Sequence, residues 1–172
     1  MTSEVPPQDV SRSNELLARG DERVRRGESL GAEQYFALAW QDGQDMHQVL
    51  PRLLEVCLVA GRFRSALDYV ERGLREDPAD VHLRQIKLTL LLALGQVQEA
   101  AEEARSLTRD KEAPAEAYFL RGTIEAGPLR DFQSARDSFR EYLKRDPTGR
   151  HRDFARSYLL RHGQPGDEGG GS

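Results

Sequence analysis

The chain has 172 residues, 38% of them hydrophobic and 31% charged, with a formal net charge of −4. That length fits one domain, the acidic balance argues against nucleic acid as the main partner, and no apolar run reaches the ~18 residues of a membrane-spanning helix. One cysteine, Cys57, excludes an internal disulfide framework.

In chain order, residues 1–12 contain Pro6-Pro7 and little that is apolar, so an untethered N-terminal arm is expected. No basic run followed by an apolar stretch opens the chain, so no secretory signal is expected and the location reads as cytoplasmic. From Ser13 to His162, apolar residues recur at helical spacing in short segments divided by Gly, Pro or Asp. Leu53, Leu54, Cys57 and Leu58 mark one helix face, and Phe63, Ala66, Leu67 and Val70 mark another after Gly61. Val81 to Leu94 is the most apolar segment, and such a helix is expected to be covered on several sides. Asp77-Pro78 and Asp146-Pro147 stop helices, because the residue before proline avoids the α region. Phe154, Ala155, Tyr158 and Leu159 give a closing helix near 150–162 one apolar stripe, and residues 163–172 are too polar and Gly-rich to fold.

A fixed period runs through these segments. Gly27, Gly61 and Gly95 stand 34 residues apart, and Ala32, Ala66 and Ala100 repeat at the same interval. Such a period marks a stacked helical repeat. It sets helix pairs near 13–46, 47–80, 81–114 and 115–149, with one inserted residue near Gly127-Pro128 in the fourth.

The first repeat offers Gly20, Ala32, Phe36 and Ala39. The second offers Leu53, Ala66 and Pro78, and the third chiefly Ala100. The fourth offers Tyr118, Gly122, Phe132, Ala135, Phe139 and Pro147. With these residues in phase over about 135 positions, the chain resembles the tetratricopeptide repeat (TPR) proteins. No repeat has the family's first tryptophan, and Trp40 lies on a second helix. The resemblance implies an all-α fold, a right-handed α-solenoid of antiparallel helix pairs forming a TPR superhelix. In it small residues let paired helices approach, while Phe36, Val70 and Phe139 fill the space between layers.

The resemblance also implies a concave groove lined by the first helix of each pair. The matching positions of the first repeat are Asn14, Leu17, Asp21, Val24 and Arg25, and those of the second are Gln48, Pro51, Glu55, Leu58 and Val59. The third contributes His82, Gln85, Thr89, Leu92 and Ala93, and the fourth Glu116, Phe119, Thr123, Ala126 and Gly127. An apolar wall with scattered polar groups suits an extended peptide or an amphipathic helix. Leu58, Leu92 and Phe119 have core packing as their competing explanation. The basic clamp that some TPR proteins close on a carboxylate is missing, since its positions fall on Leu17, Asp21, Arg52, His82 and Ile86. Glu99, Glu102 and Glu103 form an acidic flank and Arg150, Arg152, Arg156 and Arg161 a basic closing helix. Solvated helix faces are the plainer account of both.

No catalytic constellation is visible. His47, His82, His151 and His162 lack metal-ligand spacing, although His47 and His82 open neighbouring first helices. Cys57 sits in an apolar stripe, and Ser65, Ser106 and Ser134 have no nearby histidine in sequence. No Gly-rich phosphate loop follows a strand. The expectation is a non-enzymatic adaptor with no cofactor, metal, nucleic acid or membrane insertion, binding another protein in its groove. A small acidic TPR chaperone of a secretion system is the first alternative. A homo-oligomer built through the end helices is the second.

Overall fold

A computed structural model describes residues 10–109 and 113–162. Among them there are nine helices and no strand. They are α1 (Val10–Arg25), α2 (Ser29–Gln41), α3 (Met46–Val59), α4 (Phe63–Glu76), α5 (Val81–Ala93), α6 (Val97–Leu107), α7 (Ala115–Ala126), α8 (Phe132–Arg145) and α9 (Arg152–His162). Residues 10–12 of the expected arm are the first turn of α1, and the rest of the arm and the tail 163–172 lie outside the described residues. The helices group into two compact units that divide between Leu83 and Arg84, inside α5.

The repeated glycines end the first helix of each pair. Gly27, Gly61 and Gly95 take φ of 73°, 68° and 72°, the left-handed conformation that glycine adopts without a Cβ clash. Around each, the next amide closes the helix in the same way: Glu28 N donates to Arg23 O at 2.9 Å, Arg62 N to Cys57 O at 2.8 Å, and Gln96 N to Leu91 O at 2.9 Å. In the fourth pair the equivalent position is Arg130, with φ 52°. There Asp131 N donates to Glu125 O at 2.7 Å, one residue further back than in the other pairs. This is where the inserted residue is absorbed. A side chain in that conformation costs about 1–2 kcal/mol, partly offset by the entropy that glycine loses on folding. Arg130→Gly should therefore raise the unfolding free energy by roughly 0.5–1 kcal/mol, read from the urea midpoint. A lowered midpoint would refute this account of the turn.

The core is built by trading volume between two repeat positions. In the first pair a Cβ on Gly20 would collide with the ring of Phe36, and in the fourth a Cβ on Gly122 would come within 2.8 Å of Phe139. The second pair carries Leu54 and Val70 at these positions, and the third Leu88 and Ala104, all of them buried. Where one member is glycine the other is phenylalanine, and where one is leucine the other is small. Protein interiors tolerate such exchanges because total volume is kept.

In the first unit, Val49, Leu53, Cys57, Ala66 and Val70 are wholly buried, and Gly73 lets α4 close on Met46, Leu50 and Leu83. In the second, α9 lies on α8 through Ala155 and Tyr158, which join Phe119, Ala135, Phe139 and Tyr142 in one cluster. Helix α5 buries Leu83, Leu88, Leu90 and Leu91 but leaves Val81 41% exposed and Ile86 and Leu92 half-covered, so it is less enclosed than its sequence suggests.

Candidate partner-binding face

Within the first unit, the predicted residues of α1 and α3 divide between core and surface. Leu17 is buried and belongs to the core, which corrects the expectation that it faces a partner. Asn14, Val24, Arg25, Gln48, Pro51, Glu55, Leu58 and Val59 are exposed. Asp21 is half-buried and accepts from Arg52 Nε at 3.2 Å, so α1 and α3 are tied side by side across this face. Arg52 also donates from Nη1 to Gln48 O at 2.6 Å, which fixes its guanidinium along α3. Gln48 accepts from Gln44 at 2.9 Å, and Arg25 pairs with Glu22. Beyond these polar ties, Val24, Leu58 and Val59 are 39%, 44% and 80% exposed at the C-terminal ends of their helices. Val24 and Leu58 hold the same repeat position on the two helices. His82, at the edge of this unit, is exposed.

Within the second unit fewer of the predicted residues are open. Thr89 and Ala93 are exposed, and Gln85 and Leu92 are half-buried. Phe119 is a core residue, again contrary to expectation. Its ring stacks on His151 at 3.9 Å between centroids and meets Phe139, Tyr142 and Phe154 at 5.5–5.8 Å. Glu116 is occupied too, because Arg150 Nη2 lies 2.6 Å and His151 Nε2 3.2 Å from its Oε1. Thr123 is half-buried and spends its hydroxyl on Leu120 O at 2.7 Å. Of the expected acidic flank, Glu103 is held by Arg84 at 2.7 Å and Lys87 at 3.5 Å, leaving Glu99 and Glu102 exposed. The expected basic helix likewise surrenders Arg150 to Glu116.

An open hollow of about 470 Å³ in the first unit lies elsewhere, where α2 ends and α3 begins. Its wall includes Trp40, whose indole N–H donates to Glu76 at 2.9 Å and whose ring lies 4.0 Å from the Arg72 guanidinium. Both the N–H and the ring face of Trp40 are therefore already engaged. Among the described residues no three His, Cys, Asp or Glu side chains gather as metal ligands. None of the described helices is long and apolar enough to cross a membrane.

No protein-family model and no curated protein matches the sequence. Solved structures do. A tetratricopeptide repeat protein from Parabacteroides merdae ATCC 43184 superposes with a TM-score of 0.73 over 88% of this chain at 17% identity, and the chain spans 60% of that protein's length. MamA from Desulfovibrio magneticus RS-1, residues 41 to its end, superposes with a TM-score of 0.65 at 18% identity, covering 88% of each chain. YrrB, described as a TPR protein with an unusual peptide-binding site, has a TM-score of 0.67 at 19% identity, over 87% of this chain and 76% of its own. The chain has the TPR fold.

The TPR pairs carry buried polar groups that sequence reading did not single out. In the first unit Glu33 of α2 is 8% exposed. It is met by Arg62 Nη2 at 2.5 Å, and it accepts from the Tyr69 hydroxyl at 3.1 Å. Cys57 lies in the same layer, wholly buried. Burial, and then the Glu33 charge, push its thiol up to about 11, and the same two causes raise the Tyr69 hydroxyl. Cys57 is thus a protonated packing group, not a nucleophile. In the second unit Glu125 accepts from Arg121 at 2.7 Å and from Ser138 at 2.6 Å, and Arg121 donates on to Thr108 at 3.2 Å. The only hint of these networks in the sequence is an acid placed on the buried side of a helix.

Proposed function

We propose that this TPR chain is a non-enzymatic protein-interaction module that holds a segment of another protein on the first-helix face. The observation that carries the reading is the exposure of Val24, Leu58 and Val59. They lie on helices whose other large apolar residues are mostly packed inside. Exposed apolar groups clustered beside ordered polar ones mark a contact surface. Asn14, Arg25, Gln48 and Glu55 are exposed on the same helices and supply hydrogen-bonding groups without a dominant charge. That mixture suits an amphipathic helix or an extended peptide with two or three apolar anchors. Gln85, Thr89 and Leu92 offer a smaller face of the same kind in the second unit. The TPR neighbour described as having a peptide-binding site is consistent with this use of the fold.

The face is carried by packed helices, bridged by the Asp21–Arg52 pair, so little ordering is needed on this side of the contact. Replacing Val24, Leu58 and Val59 together by Asp should leave the helical circular dichroism intact, because all three are exposed. It should weaken capture of the partner, found by pull-down and mass spectrometry, by about a hundredfold or more, as expected for losing central anchors. Undiminished capture by the folded variant would remove this face from consideration.

A further inference from the structure

The exposed side of α9 has a symmetry of its own. Ala155 and Tyr158 point inward to α8, with Leu159 half-covered beside them. Away from that contact, at helical spacing, stand Asp153, Ser157, Leu160 and Arg161, all exposed, and between the two sides Phe154 packs one side of its ring on Phe119 and Phe139, each at 5.7 Å, and leaves the other open. Leu160 is 79% exposed and Phe154 49%. The Asp153 carboxylate is itself 83% exposed and, among the described residues, pairs with its neighbour Arg152 at 3.4 Å. Among the described residues Arg161 meets no acid, and it donates to the backbone oxygen of Ser157 at 3.3 Å. The charges and the apolar groups are therefore placed evenly about Ser157. Four residues to either side lie an acid and a base, and three residues to either side lie two large apolar side chains.

We infer that this face pairs with the same face of a second copy of the chain, the two α9 helices running antiparallel about Ser157. A two-fold contact brings each residue against the partner of matching distance from the axis. Asp153 then meets the Arg161 of the other copy, and the contact forms twice. Leu160 of each copy then lies against the exposed side of the other copy's Phe154, whose inner side stays packed on Phe119 and Phe139, and the small Ser157 side chain at the centre permits close approach. A parallel pairing would set Asp153 against Asp153 and Arg161 against Arg161, so charge selects the antiparallel one. Arg156 stays at the rim, its guanidinium 3.5 Å from Pro147 O. An eleven-residue helix covers less than the ~800 Å² per partner of a standard interface, so the dimer is weak and concentration-dependent.

Sedimentation equilibrium on the whole chain, whose mass is 19.4 kDa, tests this directly. The apparent mass should climb toward twice that value as concentration rises. Leu160→Glu should hold it at the monomer with unchanged circular dichroism. Asp153→Arg alone and Arg161→Asp alone should each weaken association by about tenfold or more, equivalent to ~1.4 kcal/mol. Mixing those two variants should restore dimers, and so should combining both changes in one chain. A wild-type chain that stays monomeric throughout, or a dimer indifferent to these substitutions, overturns the inference. So does failure of the two reversed variants to pair with each other.

Discussion

Phe139→Ala should lower the unfolding free energy of the second unit by about 3–5 kcal/mol, the usual cost of deleting a buried aromatic ring. Phe139 is 0% exposed and stands at the meeting point of three helices. On one side its ring occupies the space left by Gly122 of α7. On the other it meets Phe154 and Tyr158 of α9 at 5.7 and 4.7 Å, and Phe119 at 5.8 Å. The hole left by alanine cannot be filled by its neighbours, because Tyr142 and Tyr158 are already fixed in the same cluster. The destabilisation should therefore reach α9, and amide hydrogen exchange in residues 152–162 should quicken along with that of α7 and α8. Gly122→Ala makes the opposite error at the same place, crowding the ring instead of removing it, and should cost about 1–3 kcal/mol. If Phe139→Ala costs less than about 1 kcal/mol, the cluster does not carry the second unit.

The helix pairing is plain from the 34-residue spacing of Gly27, Gly61 and Gly95, because each does one backbone job, the left-handed turn that ends a first helix. The fourth turn shows why one residue must be inserted there. Arg130 takes the same conformation, one residue later than the period would put it. Paired volumes are harder to see. Leu54 with Val70 and Leu88 with Ala104 satisfy the same space as Gly20 with Phe36, but no one residue type holds either position in all four pairs, so a motif search passes over them.

The partner face is readable only in outline. Leu17, Pro51, Gln85 and Phe119 share one repeat position, yet Leu17 and Phe119 are buried while Pro51 is exposed and Gln85 half-covered. Period alone cannot separate them, since what covers Phe119 is His151 and Phe154, from a segment more than thirty residues away in the chain. By contrast Val24, Leu58 and Val59 are exposed. Charged residues mislead for a related reason. Glu116, Glu103 and Arg150 look like free surface charges in a one-dimensional reading, and each is engaged by a group from another helix or loop.

Removing the Arg62 side chain should cost about 2–3 kcal/mol, somewhat below the ~3–5 kcal/mol of a fully buried ion pair, because the Arg62 side chain is 29% exposed. The loss arises from what remains. The Glu33 carboxyl would be left at 8% exposure with only the Tyr69 hydroxyl to answer it. The companion change tells whether this is the right cause. Glu33→Gln in the Arg62→Ala background removes the stranded carboxyl, keeps the amide near Tyr69, and should recover a large part of the stability. Urea unfolding of the two single variants and the double then forms a cycle whose coupling should favour the pair by more than ~1 kcal/mol. An Arg62→Ala variant within about 0.5 kcal/mol of the parent would mean that water reaches Glu33 freely, and that the polar layer between α2, α3 and α4 adds little to the first unit.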